Sequence, residues 1–279
     1  MSKEKVLVIG ASGTVGSLIV QKLKEKGYQV SAATSKPVKS EEQVQIDLAS
    51  GQGLKSAFEG VDRAFLISPP GYANQYEILS PLIQEAKRRG LKKVVLMTAF
   101  GANADESSPF RRAEVELEKS GLNYNIIRPN WFFQNFSTYW VSGIKEHNKI
   151  LVPAGTAKVS FIDVRDIAST AVELLTSDEF ANRDFDLTGP ESLDHDQIAE
   201  LISKVSGKSV TYEEIKPEVL KEGLLGAGFP EDYVDFMLLI FGYLREGYSA
   251  DVTDSVKTVL GREAIGFEQY SREFKGSWS

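Results

Sequence analysis

Val6-Leu-Val-Ile-Gly-Ala-Ser-Gly-Thr-Val-Gly16 decides the fold of this chain. An apolar run of strand length breaks into three glycines spaced G-x-x-G-x-x-G. Val15, Leu18, Ile19 and Leu23 then recur at helical spacing until Lys26-Gly27 stops the pattern. In that setting each glycine has a task. Gly10 takes the tight turn off the strand, Gly13 lets backbone approach a pyrophosphate, and Gly16 lets the helix lie close on the sheet. The anion meets the helix N-terminus, where unpaired N–H groups and the helix dipole favour it. Hydroxyls of Ser12 and Thr14, ahead of Val15, add hydrogen bonds to the predicted phosphate loop.

Outward from this stretch, strand-length apolar runs at residues 28–33, 44–46, 64–67 and 94–98 alternate with helical patterns. A helix over 110–119, a strand at 124–127, a short strand at 159–162, a helix to 175 and a strand at 184–187 continue the rhythm. Near-continuous apolar strands separated by helices describe a parallel sheet covered on both faces. The chain is therefore predicted to be α/β, a Rossmann-type doubly wound parallel sheet over residues 1–189 with a smaller, mainly helical C-terminal lobe over 190–279. That lobe is expected to lie over the carboxyl ends of the strands, with 130–158 contributing to the pocket. Pro81 marks a kink or a displaced start of the helix that ends at Gly90. Asp194 and Gln197 form the D-x-x-Q pattern of a capping box.

The end of the second strand bears on the choice of dinucleotide. A site selective for NAD(H) places an acid there, against the ribose 2′-hydroxyl. Thr34, Ser35 and Lys36 instead offer two hydroxyls and a cation, which favours NADP(H) and leaves NAD(H) open. Asp47 either receives the adenine amino group or caps a helix. Ser68 and Pro69 are predicted to form a rigid rim beside the ribose and nicotinamide. Thr98, Ala99 and Phe100 lie where the sheet crevice meets the nicotinamide ring, and Thr98 binds either a substrate oxygen or its own strand end. The run Asn130, Trp131, Phe132, Phe133 and Asn135 either walls a flat apolar substrate or packs the two lobes together.

Composition narrows the function classes. Hydrophobic residues make up 42% and charged residues 25% of 279, ordinary for a globular protein, and the net charge of −7 disfavours a phosphate-neutralising surface. Lys87, Arg88, Arg89, Lys92 and Lys93 are the densest basic cluster and read as a solvated helix end. There is no cysteine, so disulfides and thiolate chemistry are absent, and His147 and His195 are too far apart for a zinc motif. His147 is placed in a loop and His195 in a capping turn. Neither a signal peptide nor a membrane span is visible, so a cytoplasmic protein with no nucleic-acid or membrane partner and no metal is expected. A homodimer stays open.

The chain resembles the NmrA-like family of atypical short-chain dehydrogenase relatives. The resemblance rests on Gly10 to Gly16, on Arg112-Ala-Glu114 with Ser120-Gly-Leu122, and on Tyr124-Asn-Ile-Ile-Arg-Pro-Asn-Trp-Phe-Phe-Gln-Asn135. Phe161-Ile-Asp-Val-Arg-Asp-Ile-Ala168, Leu187-Thr-Gly-Pro190 and Val252 through Phe267 extend it over essentially the whole chain. It implies an NAD(P)-binding Rossmann domain, and a function among quinone and dye reductases or among redox sensors that bind the dinucleotide without turning it over. The wider superfamily's Y-x-x-x-K pair is missing. Phe110 and Glu114 stand at that spacing, and phenylalanine donates no proton.

The sequence thus points to an NAD(P)H-dependent reductase of a quinone or similar flat carbonyl acceptor. A non-catalytic NAD(P) sensor acting through a protein partner is the alternative. Thr98 and Tyr243 are the candidate catalytic residues. The substrate pocket is assigned to Phe100, Asn130, Trp131, Phe132 and Asn135. Glu114 is either a buried orienting group or a surface carboxylate facing Arg111 or Lys119, and Asp163, Arg165 and Asp166 are expected to organise the junction between sheet and lobe.

Overall fold

Alternate residues of the first strand serve two different cores, and the rest of the molecule is built on that alternation. The computed structural model describes residues 4–278. In chain order it comprises β1 (Lys5–Val8), α1 (Thr14–Glu25), β2 (Gln29–Thr34), β3 (Gln43–Gln45), α2 (Leu54–Ala57), β4 (Arg63–Ile67), α3 (Gln75–Arg89), β5 (Lys93–Met97), α4 (Pro109–Glu118) and β6 (Tyr124–Pro129). There follow α5 (Val141–His147), β7 (Lys149–Val152), α6 (Val164–Thr176), β8 (Arg183–Leu187), α7 (His195–Ser206) and β9 (Thr211–Glu214). The chain closes with α8 (Pro217–Gly226), α9 (Glu231–Arg245), α10 (Ser255–Leu260) and α11 (Phe267–Glu273).

Seven parallel strands lie in the order β3-β2-β1-β4-β5-β6-β8, with Val6 opposite both Val30 and Arg63. Val6 and Val8 face a core shared with Val15, Ile19 and Leu23 of α1 and Ile167, Ala171 and Leu174 of α6. Leu7 and Ile9 face the opposite core, with Leu79, Leu82 and Ile83 of α3 and Ala113 and Leu117 of α4. Successive side chains of a strand point to opposite faces, so a doubly covered sheet needs apolar residues at every position. Strand order reverses between β1 and β4, and the carboxyl ends at that switch point open the crevice where such folds bind ligands.

A third core joins Phe133, Phe136, Ile144, Val152 and Phe161 to Ile198, Ile202, Phe267, Tyr270 and Trp278. Within it, the Trp278 indole donates to the Phe136 carbonyl at 2.7 Å. The small parallel pair β7–β9 lies in this part of the molecule. Asp194 and Gln197 form the reciprocal capping box that opens α7, and Gly207 ends the helix in the left-handed conformation.

Four sequence expectations need correction. Residues 159–162 form no ladder strand; Val159 and Ile162 make only isolated bridges, to Leu193 and Phe132. The third helix runs through Pro81 instead of starting there. Pro81 is exposed, so solvent can serve the carbonyl one turn earlier that loses its amide partner. His147 is the last residue of α5, not part of a loop. The basic cluster is not simply solvated: Arg88 and Arg89 both bind Glu85, Lys92 pairs with Glu4 and Asp62, and Lys93 is buried against Asn123.

Candidate cofactor and acceptor site

The phosphate loop leaves β1 through Gly10, whose φ of +70° belongs to the left-handed region that favours glycine. The Gly13 amide then donates to the Gly10 carbonyl at 2.9 Å, closing the turn. A Cβ on Gly16 would stand 2.1 Å from the Gly10 carbonyl oxygen, so this residue has to be glycine for α1 to pack where it does. Ser12, Gly13 and Thr14 are exposed, and Val15 is buried behind them. The amides of the first turn of α1 therefore face an open cradle that no side chain fills. Such a cradle fits a pyrophosphate.

At the carboxyl end of β2, Thr34 accepts from the Lys36 amide through its hydroxyl, at 3.1 Å, which tightens the turn. Ser35 and Lys36 are exposed, and Lys36 forms no ion pair among the described residues. Asp47 is exposed just beyond β3. It accepts from the amides of Ala49 and Ser50 and the hydroxyl of Ser50, which hold its carboxyl below the usual range. It makes a local turn and leaves the N-cap of α2 to Gly53. A cleft of about 160 Å3 lies beside it, lined in part by Ile46, Asp47, Leu48, Pro81 and Leu82. Across the switch point, Ser68 and Pro69 end β4 half-buried.

Beyond β5 the chemistry is dominated by one buried carboxylate. Glu114, fully buried on α4, accepts from the Thr98 hydroxyl at 2.6 Å and from Arg128 Nε and Nη2 at 2.8 and 2.9 Å. Arg111 adds a contact at 3.2 Å, and Arg128 reaches on to Asp184 and Asp186 through Nη1. The surrounding carboxylates hold Arg111 and Arg128 charged despite their burial. Desolvation pushes the Asp186 carboxyl up. Glu114 is thus an orienting group, and the Thr98 proton is committed to it. Of the two readings for Thr98, neither describes this bond, which crosses from the strand to α4.

The predicted pocket residues divide. Ala99 and Phe100 are half-buried at the crevice, where the Phe100 amide donates to the Pro129 carbonyl at 3.0 Å. Asn130 is buried with its amide consumed: Nδ2 donates to Ser160 and to the Ser249 carbonyl, and Oδ1 accepts from the Trp131 amide. It fastens the 249–251 segment to the sheet. Trp131 is half-buried and packs 4.8 Å from Phe241 of α9 and 6.2 Å from Trp140. Phe132 and Asn135 are also half-buried.

Tyr243 does not join this group. It is 50% exposed, on the outer side of α9, edge-on to Tyr248 at 6.1 Å. Tyr233, at the other end of the same helix, is half-buried between Phe229 and Phe236. The sequence offered a signal for Arg128, a charge inside an apolar strand that demands a buried partner. Asp163 caps α6 and pairs with Arg165, and Asp166 binds Arg262 and the Ile265 amide, tying the sheet to the C-terminal segment. Among the described residues, no helix is long and apolar enough to cross a membrane.

The NmrA-like family model matches residues 2–270. An NAD(P)H azoreductase from Xenophilus azovorans is 32% identical, over 96% of this chain and 96% of that protein. An NADPH-dependent quinone oxidoreductase from Escherichia coli, solved with NADPH, superposes with a TM-score of 0.83 at 21% identity, over 96% of this chain and 99% of its own. The triphenylmethane reductase of a Citrobacter species, solved with NADP(H), gives 0.81 at 22% identity, over 97% and 99%.

Proposed function

We propose, from the premise that the chain belongs to the NmrA-like family, that it is an NAD(P)H-dependent oxidoreductase acting on a quinone or similar flat conjugated acceptor. NADP(H) is the favoured cofactor, because Thr34, Ser35 and Lys36 present hydroxyls and a cation where an NAD-selective site carries an acid. When bound, the dihydronicotinamide supplies a hydride. The chain's own residues have three tasks. The free amides of Thr14 to Gly16 hold the pyrophosphate, Ser68 and Pro69 confine the ribose side, and Phe100, Trp131 and Phe132 exclude water from a flat ring.

One observation carries this reading. Phe110 and Glu114 occupy the spacing of the tyrosine and lysine used elsewhere in the superfamily, and Glu114 is locked to Thr98, Arg128 and Arg111. No free acid stands there to protonate an isolated carbonyl. A quinone or extended conjugated acceptor has less need of one, because it spreads the incoming charge into its ring and solvent delivers the proton. Orientation then supplies most of the acceleration. That the Xenophilus relative is an NAD(P)H azoreductase is in keeping with an acceptor of this kind.

The test is NADPH consumption against a panel of quinones and azo dyes. Turnover is expected with at least one flat acceptor and is abolished in Gly13→Val, whose new side chain enters the anion cradle. Saturable NADPH binding with no consumption on any acceptor overturns the reductase reading.

A further inference from the structure

The third core holds an ionisable ring with nothing to bind. His195 opens α7 fully buried, and neither imidazole nitrogen has a hydrogen-bond partner among the described residues. Its neighbours are rings: Tyr212 at 5.2 Å, Phe161 at 5.7 Å, Phe136 at 6.1 Å and Trp140 at 6.2 Å between centroids. A neutral imidazole already leaves a donor and an acceptor unmatched there. An imidazolium brings a charge and a second unmatched donor into the same apolar cage.

The groups that face the ring give a proton little compensation. Its own helix brings Asp194, which favours the charged form, but this carboxylate is committed to the capping box with Gln197. From β9 comes the Tyr212 phenol, which donates to the Val152 carbonyl and accepts from the Ala154 amide. Phe136, Phe161 and Trp140 bring apolar rings and no charge. Burial outweighs Asp194 and holds the imidazole neutral far into the acid range.

Helix α7 packs on β7, β9, α11 and the closing turn Lys275–Trp278, and its Ile198 and Ile202 belong to the third core. The seven-stranded sheet is held by other residues, in the cores on its two faces. We propose that His195 is an acid-sensitive latch of the third core: its protonation releases α7 with β7 and β9 while the sheet and its glycine cradle stay folded. The proton comes from solvent once the ring is exposed. Acid favours opening because the open form binds that proton and the closed form does not.

The chain's 3 tryptophans, Trp131, Trp140 and Trp278, lie in or against the third core, so their emission reports this core by itself. Between pH 7 and pH 5 the opening equilibrium is expected to rise about twentyfold, read from hydrogen exchange of α7 amides corrected for the intrinsic rate. At lower pH the tryptophan emission shifts to the red before the bulk of the far-ultraviolet circular dichroism is lost, and NADP+ still binds. His195→Phe is expected to remove both responses, and His147→Gln, at the exposed end of α5, to leave them. A single transition in which emission, circular dichroism and NADP+ binding change together overturns the proposal. A transition that persists in His195→Phe, or disappears in His147→Gln, overturns it as well. If His195→Phe fails to fold, exchange in the parent decides: α7 protection that does not fall between pH 7 and pH 5 overturns the latch.

Discussion

Helix α1 and the α8–α9 hairpin are built on opposite terms. Helix α1 is held along its length: Val15, Ile19 and Leu23 enter the core, and Gly16 is pressed against the Gly10 carbonyl with no room for a methyl group. The α8–α9 hairpin is held at a few points, and a Cβ added at Gly223, Gly226 or Gly242 would meet nothing within 4 Å. The glycine loop is fixed by backbone geometry, which tolerates almost no change. The hairpin is fixed by a handful of side chains, among them Val234, Phe241 and Leu244.

The contrast can be broken by substitution. Gly16→Val is expected to destabilise the fold by about 5 kcal/mol or more, because the clash is with backbone and not with a movable side chain. Loss of soluble folded protein, or a collapse of the thermal transition, reports it; a stable variant would mean that α1 has slack after all. Glu114→Ala removes the carboxylate between Arg128 and Arg111 and leaves a buried guanidinium uncompensated, at a cost of about 3–5 kcal/mol in denaturant unfolding. A loss below about 1 kcal/mol would show that Asp184 and Asp186 suffice to hold Arg128.

His195 gives a pH-dependent version of the same comparison. Its ring is fully buried among Phe136, Trp140, Phe161 and Tyr212, neither nitrogen has a partner, and burial lowers its pKa from 6.5 to about 4. Between those values the unfolded chain binds more protons than the folded one. Stability is therefore complete above pH 6.5 and falls by about 3 kcal/mol as pH drops through the window to 4. His195→Phe should flatten that part of the unfolding profile; an unchanged slope would assign the acid sensitivity elsewhere. The smallest effect belongs to the hairpin. Gly242→Ala, in the interior of α9 with open space around it, is expected to stabilise by about 0.5–1 kcal/mol through helix propensity alone, measured as a small rise in Tm. A fall in Tm would show that α9 packs more tightly than its burial implies.

Much of the cofactor half was legible in advance because its signals are local. Strand, glycine spacing and helix period sit within thirty residues, and Asp194 with Gln197 announces a helix start by itself. The acceptor half was less legible because its contacts are distant in sequence. Asn130 reads as a pocket residue in the sequence, but Ser160 and Ser249 use up its amide. Tyr243 and Tyr233 are indistinguishable as letters in one helix, and only the fold separates an exposed ring from a half-buried one.

By itself, the sequence determined the parallel α/β architecture and the glycine cradle, and its resemblance to the family exposed the missing tyrosine–lysine pair. The first two follow from periodicity and from steric limits on single residues, which are properties of short stretches of chain. Tertiary structure alone decided that Glu114 is spent on Thr98, Arg111 and Arg128 and that Asn130 is a fastener. Each of those outcomes depends on which polar group finds a partner when it leaves water, and the partners come from segments tens of residues away.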